Sequence, residues 1–400
     1  MNRPVLRPAL TVALVAIVLV VCGAPGSAHK PITSPFTYNQ DVLPILRDRC
    51  GRCHVSGGVA PMSLLTHADA VPWGESIRTE VLAGHMPPGG VDEAPARFRN
   101  AGGLSPREMN LLLTWVTGGT PLGDAAQTPA PATRERVWPL GTPDLTLPLP
   151  SEIVVAADVR ERTSELVIPT GVTERRWLRA VDLSPGNAAI VRAATIAVRS
   201  PAASGTGASI ERTLALWLPG DEPAVLDDQV GFELPAGAEL VVRVLYRKTW
   251  QFERQEVRDR SVIGLYFGAA SATAVQALRL ANDSAPPARG RALLSSTLAE
   301  DARLLAIYPD TGIDDVAVKV VATRPDGTRL DLIAFHPRPG WLRRYWFREP
   351  VTLPRGTTIE VTSTVDNERR WLPLSLAPPP SPVDPELSRI GLTLNVVRKF

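Results

Sequence analysis

Cys50 and Cys53 stand three positions apart with His54 directly behind the second thiol, and beyond them the 400-residue chain has no further cysteine. Whatever folds downstream must therefore be held by packing, without disulfides. With 44% hydrophobic residues, a chain of this length has enough apolar surface to bury ordinary cores. The two thiols themselves have few uses. A dithiol redox motif belongs near a βαβ pattern, and a structural zinc site needs four ligands; the sequence around Cys50 offers neither. Cys50-Gly51-Arg52-Cys53-His54 is the order used for covalent haem attachment. Each cysteine forms a thioether with one vinyl group, and His54 is held where its imidazole meets the iron. One haem c is expected, bound through Cys50 and Cys53 and ligated by His54.

The N-terminus explains where such chemistry would take place. Arg3 and Arg7 precede an apolar run over 9–21, and the small residues Gly26-Ser27-Ala28 follow, the layout of a cleaved secretory signal peptide. The run is short for a bilayer span. Residues 1–28 are expected to be removed and the product to be periplasmic. Lipid attachment at Cys22 is the alternative, disfavoured by Val21 in front of it. After cleavage near Ala28 only Cys50 and Cys53 remain, both consumed by the haem, which leaves no structural disulfide in an oxidising compartment. A formal net charge of +2 provides no basic field for nucleic acid.

Residues 29–122 read as a small helical unit. Asn39 or Asp41 caps a helix carrying Val42, Leu43, Ile45 and Leu46, with Pro44 tolerable in the first turn, and that helix delivers Cys50. Ser105-Pro106-Arg107-Glu108 is a capping box with proline at the first helical position; Met109, Leu112, Leu113 and Val116 follow at helical spacing before Gly118-Gly119. The second axial ligand is expected between these helices. Gly84-His85-Met86-Pro87-Pro88 places Met86 in a proline-flanked loop, and Met86 is the expected iron ligand; His85 and Met62 are the other candidates, Met62 being handicapped by its short loop back to His54. His67 is assigned no role. A Met/His pair raises the reduction potential relative to a bis-His pair and leaves no open position, which favours electron transfer over oxygen chemistry. On the attachment pentapeptide and the methionine loop, this unit resembles a class I cytochrome c.

Residues 123–150, with Thr128-Pro129-Ala130-Pro131 at their centre, read as a semi-rigid connector. Beyond it strands dominate. Over 240–247, Leu240, Val242, Val244 and Tyr246 fall on one face and Arg243 and Arg247 on the other. Residues 316–323 and 330–335 flank the hairpin turn Pro325-Asp326-Gly327, and Pro378-Pro379-Pro380 marks a loop. Leu234-Pro235-Ala236-Gly237 ahead of 239–242 is echoed by Leu353-Pro354-Arg355-Gly356 ahead of 358–361, which points to two copies of one β architecture, 151–283 and 284–400. The expected fold class is multidomain α plus all-β: a small helical cytochrome c domain over 29–122, then two antiparallel jelly-roll-like β-sandwiches.

The succession Arg176-Trp177-Leu178-Arg179-Ala180-Val181, Pro185-Gly186-Asn187, Leu234-Pro235-Ala236-Gly237, Gly264-Leu265-Tyr266-Phe267, Pro325-Asp326-Gly327 and Leu353-Pro354-Arg355-Gly356 resembles the two-jelly-roll catalytic region of the ascorbate-dependent type II copper monooxygenases, the peptidylglycine hydroxylating monooxygenase family. The resemblance implies one copper on three histidines and another on two histidines and a methionine. Those ligands are missing here. Between Asn110 and Phe400 the only histidine is His336, and there is no methionine or cysteine. Ile190-Val191-Arg192 stands where a His-His pair is implied, Leu245-Tyr246-Arg247 where a His-x-His strand is implied, and Tyr308-Pro309-Asp310-Thr311-Gly312 where a second one would follow the proline. No copper is expected, and His336 is expected to be a loop residue. The carboxylates Asp310, Asp314 and Asp315 read as a solvated turn rather than a calcium site. No nucleophile elbow or phosphate-binding glycine loop is present, so no catalytic residue is assigned.

The expected function is an exported c-type cytochrome that passes single electrons to or from a periplasmic redox protein or oxidoreductase, the copper-free β-sandwiches serving as docking or binding module. The alternative is a subunit, or a degenerate member, of a copper- or haem-dependent monooxygenase or oxidase system.

Overall fold

The computed structural model describes residues 33–92, 95–127, 138–199, 211–270, 272–281, 292–309, 316–337, 340–365 and 391–398. Of these, 42% lie in strands and 17% in helices. The expected plan of a helical cytochrome domain ahead of two sandwiches is therefore corrected to a mostly β protein. Residues 1–28 with Cys22, Thr128 to Pro131, Asp310, Asp314, Asp315 and the Pro378 loop lie outside the described residues.

Two features of the N-terminal segment explain the correction. Its helices are short: Pro106–Thr117 and Gly74–Leu82 are the longest, and 51–66, 83–92 and 95–104 run mainly as turns, bends and isolated bridges. The stretch delivering Cys50 is helical over Tyr38–Val42, Leu43–Ile45 and Leu46–Cys50, but only the middle piece is α-helix and both flanks are π-wound; Pro44 has no amide to donate inside it. Neither expected residue caps it in the ordinary sense. Asp41 Oδ2 accepts from the Thr37 N–H at 2.8 Å, and the Asn39 amide donates to the Asp124 carbonyl at 2.7 Å. Ser105 does form the expected capping box with Glu108.

The second feature is where the segment buries itself. Tyr38, Val42, Leu46, Leu112 and Trp115 form a small local core, but Val91 and Phe98 leave it and pack with Phe335, Tyr345 and Phe347 in a β core. Isolated bridges join Val91 to Phe335 and Phe98 to Phe347. The Asp92 N–H donates to Ala334 O and the Arg99 N–H to Trp346 O, each at 2.8 Å. Burying a ring such as Phe98, 1% exposed, is worth about 2–3 kcal/mol, and that free energy is available only when the β region is folded.

The β region is built as two pairs of sheets and a two-stranded ribbon of Ile153–Val155 with Val257–Asp259. In the first pair, one sheet orders Leu145–Pro148, Val262–Phe267, Arg176–Ser184, Val230–Leu234 and Thr273–Ala274, and the other Glu161–Pro169, Glu239–Arg247, Val191–Arg199 and Glu211–Trp217. Leu178, Leu234, Ile263 and Leu265 of one share a core with Ile196, Val198, Leu240 and Val242 of the other. The alternation read over 240–247 is present, with Arg247 exposed and Tyr246 fully buried, although Val241 on the opposite face is buried too. Leu145–Pro148, inside the stretch read as a connector, pairs with Val262–Phe267.

The second pair orders Gln276–Ala281, Gly391–Val397, Ala302–Pro309 and Tyr345–Leu353 in one sheet, and Ala292–Thr297, Thr358–Val365, Val316–Thr323 and Arg329–Phe335 in the other. The hairpin at Pro325-Asp326-Gly327 forms as read: Gly327 has φ +84°, and Asp326 Oδ1 accepts from the Thr328 N–H at 2.9 Å. The Leu-Pro-x-Gly echo is one turn used twice. Gly237 and Gly356 have φ +68° and +82°, and their N–H groups donate to Val172 O and Leu298 O, both at 2.8 Å.

Arg344 ties the two pairs together. Its guanidinium donates to Leu214 O at 2.8 Å and Thr213 O at 3.0 Å and lies 4.6 Å from the Tyr308 ring centroid and 5.5 Å from those of Phe232 and Trp346. Arg343 adds the N-terminal segment, with Nη2 2.8 Å from Asp221 Oδ1 and Nη1 3.1 Å from Asn100 O.

Candidate functional site

Cys50 ends the helical stretch, and its carbonyl accepts from both the Cys53 N–H at 3.0 Å and the His54 N–H at 2.9 Å. One backbone oxygen thus folds the two thiols and the imidazole into a single turn. Gly51 is needed there, since a Cβ would stand 2.8 Å from Arg47 O. The loop that follows returns onto the turn: the Ala60 N–H donates to Cys53 O at 3.2 Å and the Leu64 N–H to His54 O at 3.1 Å. Both cysteines are half-buried thiols. Burial first, and the neighbouring Cys53 next, push the Cys50 thiol up to about 12. Cys53 Sγ is 3.6 Å from Pro219 O, so the motif touches the first pair of sheets.

The His54 ring is half-buried and makes a hydrogen bond with the Met62 backbone, while Nδ1 is buried with no hydrogen-bond partner. Burial pulls this imidazole below its ordinary value against the opposing bond to Met62, and the charge of Arg192 adds to the fall. The ring is therefore a neutral donor with one end anchored to backbone, the arrangement in which a histidine presents its lone pair to a metal.

Met86 follows the helix Gly74–Leu82, which Gly84 closes at φ +66°. The His85 and Met86 N–H groups both donate to Glu80 O, at 2.8 and 3.2 Å. His85 is exposed and held by Glu80, with Nδ1 3.0 Å from Oε2. Met86 is half-buried. Met62 packs with Cys50 against the N-terminal core and bonds the His54 ring through its backbone, which puts it on the His54 side of the turn. His67 bridges this core, with Nε2 2.8 Å from Thr120 O and its ring edge-on to Tyr38. His336 is a partly covered residue beside Asp92, Nδ1 to Oδ2 2.9 Å.

A cavity of about 410 Å³ opens where the N-terminal segment meets both pairs of sheets. Cys53 and the Pro87-Pro88 pair behind Met86 line it from one side; Asp182, Trp217, Trp341 and Arg343 line it from the other. Cys50, His54 and Met86 are placed near these walls in the chain and are not themselves wall residues. Asp182 is 4% exposed, accepts from the Leu183 N–H at 2.8 Å and bonds the Trp217 side chain; burial raises its carboxyl to about 6.

The positions at which the monooxygenase resemblance implies copper ligands do structural work. Ile190 and Val191 are fully buried. Tyr246 donates its hydroxyl to Asp259 Oδ2 at 3.0 Å, and that carboxylate also accepts from the Ser261 hydroxyl at 2.8 Å. Tyr308 lies under Arg344. Among the described residues, no group of three or more His, Cys, Asp or Glu side chains converges as a metal site would require.

Trp341 and Asp182 in the cavity wall, and Arg192 stacked on Trp341, are residues whose place sequence reading did not reach. They lie far from Cys53 in the chain and arrive by tertiary folding; the one local signal was an arginine directly after the apolar pair Ile190-Val191.

No family model matches the chain, and no curated protein matches it. Among solved structures it is similar in part to allantoicase from Saccharomyces cerevisiae, at 8% identity over 58% of this chain and 77% of that one, TM-score 0.19. It is likewise similar to a Paenibacillus xanthan lyase, at 9% over 68% and 28%, TM-score 0.18. The tandem CBM22 domains of Paenibacillus barcinonensis Xyn10C give 7% over 62% and 82%, TM-score 0.17. At such scores these likenesses carry no argument about fold or activity.

Proposed function

We propose that the chain is an exported single-electron carrier in which Cys50 and Cys53 would hold one haem c and His54 would bind its iron. The observation that carries this reading is the turn around Cys50 O, which gathers two thiols and a half-buried imidazole whose Nδ1 has no hydrogen-bond partner. The donor set fits a haem, since thiols add to vinyl groups and an imidazole nitrogen suits iron. When bound, the haem supplies a ferric/ferrous couple that moves one electron at a time.

The chain's own residues orient and shield that group. The Met62 backbone lies against the His54 ring and would help orient it. Met86 would be the second residue to hold the iron, carried by the loop whose Pro87-Pro88 faces the same cavity as Cys53. Trp217 and Trp341 supply apolar walls that limit water, which raises the reduction potential by disfavouring the more charged ferric form. The β region serves as the docking face for a periplasmic redox protein or oxidoreductase, and copper plays no part in this reading.

The full chain expressed with its own leader in a host that attaches haem c tests this. The wild type should give a haem-stained band after denaturing electrophoresis, and Cys50→Ala with Cys53→Ala should abolish it. A wild type that never stains, or a double variant that still does, overturns the proposal. Met86→Ala should remove the far-red methionine–iron band and lower the potential; an unchanged spectrum moves the ligand to another residue.

A further inference from the structure

The arginines around the cavity are mostly committed. Arg343 pairs with Asp221, Arg344 donates to two carbonyls, Arg49 pairs with Glu108, and Arg52 donates to Gly220 O. Arg192 is not itself a wall residue but stacks on one, Trp341. The pairing of Val191–Arg199 with Glu239–Arg247 shifts register between Val191 and Ala193, so Arg192 is the extra residue of a β-bulge, a device that re-aims a side chain out of the ladder. Its guanidinium lies 4.5 Å over the Trp341 ring, and its Nε is buried without a hydrogen-bond partner. Glu161, the carboxylate it feels, is bonded to Arg247. Trp341 and Cys53 are walls of one cavity, and both Cys53 and His54 lie close enough to feel the Arg192 charge.

A half-buried guanidinium whose Nε is cut off from water and meets no acceptor is under-satisfied, and its planar fork suits a carboxylate. We propose that Arg192, presented by this bulge and backed by Trp341, binds a propionate carboxylate of the haem. The β region then completes a pocket whose covalent bonds come from the N-terminal segment. This inference rests on the haem reading. It adds that Arg192 of the first pair of sheets would be a binding residue for the haem's carboxylate.

Arg192→Leu, Arg192→Gln and Arg192→Lys in the full chain test it. All three should keep wild-type haem staining, because the thioethers come from Cys50 and Cys53. Arg192→Leu should lower the reduction potential, since a positive charge near the iron is lost and the propionate is left uncompensated. Arg192→Gln, which keeps donors but no charge, should fall nearly as far, and Arg192→Lys should stay closest to wild type. The propionate bending bands in resonance Raman spectra should shift in the Leu and Gln variants. A haem-loaded Leu or Gln variant with wild-type potential and unmoved propionate bands overturns the inference; if Arg192→Leu does not accumulate, the Gln variant decides by the same two readings. A wild type without covalent haem sinks the parent reading instead, so the two failures are told apart by the stain.

Discussion

The N-terminal segment and the β region are opposites in how they use their side chains. Before Leu122 lie the two thiols, His54 and Met86, set among short helices and turns whose own core centres on Leu46, Leu112 and Trp115. After Leu145 lie large aliphatic cores, and His336 is the only residue there able to offer an imidazole or sulfur donor. A segment rich in donors and poor in core cannot hold a site rigidly by itself. Val91, Asp92 and the run Phe98 to Asn100 show how this is resolved, because their apolar and polar groups meet the second pair of sheets. The comparison teaches that ligand supply and rigidity are divided between two parts of the chain, and that the cavity forms where they meet.

The strongest way to break that comparison is to cut the apolar tie. Phe98 is 1% exposed, with its ring 4.7 Å from that of Phe347 and 6.1 Å from that of Tyr345. Phe98→Ala should cost about 3–5 kcal/mol, read as a lowered urea midpoint in far-UV circular dichroism, which reports chiefly the sheets. A loss below about 1 kcal/mol in that signal would mean that the segment rests on the β region without being part of its core.

That tie also marks the limit of what the sequence disclosed. The Ser105 capping box, the alternation over 240–247 and the Asp326-Gly327 hairpin were legible because each is decided by residues within about one turn or one strand. The Leu-Pro-x-Gly echo was legible for the same reason, with glycine at both positions taking a positive φ. The self-standing helical domain was misread because helical spacing around Leu43 and Leu112 says nothing about what lies between. Phe98 looked like any loop aromatic, and its partner Phe347 is far along the chain. Arg192 was hidden differently: a bulge is a mismatch between two strands, and neither strand reveals it alone.

The two walls of the cavity offer a finer test, because Asp48 and Arg52 on the N-terminal side are exposed whereas Asp182 on the sheet side is buried. With its folded value raised by burial from 3.8 to about 6, Asp182 binds a proton more tightly in the folded chain than in the unfolded one. Its contribution to stability is intact below pH 4, falls as pH rises from about 4 to 6, and stays lost above that. Two units correspond to roughly 2–3 kcal/mol. Asp182→Asn should therefore raise the urea midpoint at pH 7 relative to wild type and narrow the gap between pH 4 and pH 7. Equal gaps in the two proteins would show that the sheet-side wall is wet.

The smallest effect probes the N-terminal core on its own terms. Ser105 Oγ accepts from the Glu108 N–H at 3.2 Å, and Glu108 Oε2 accepts from the Ser105 N–H at 2.7 Å. Glu108 Oε1 also meets Arg49 Nε at 2.9 Å, so the cap of one helix grips the residue next to Cys50. Burial alone would push the Glu108 carboxyl up, but the bonds from Ser105 and Arg49 outweigh it and hold it below its ordinary value; the cap's contribution is lost as pH falls through that lowered value. Ser105→Ala should cost about 1 kcal/mol. Trp115, fully buried on the same helix, contributes a fluorescence change when this core opens, and circular dichroism reports the sheets. Because Phe98 makes the segment part of the β core, both signals should move to the same lower midpoint. A shift confined to fluorescence would show that the helices can open while the sheets stay folded, and the division of labour would then be one of chemistry only, with the donors riding on a unit that melts by itself.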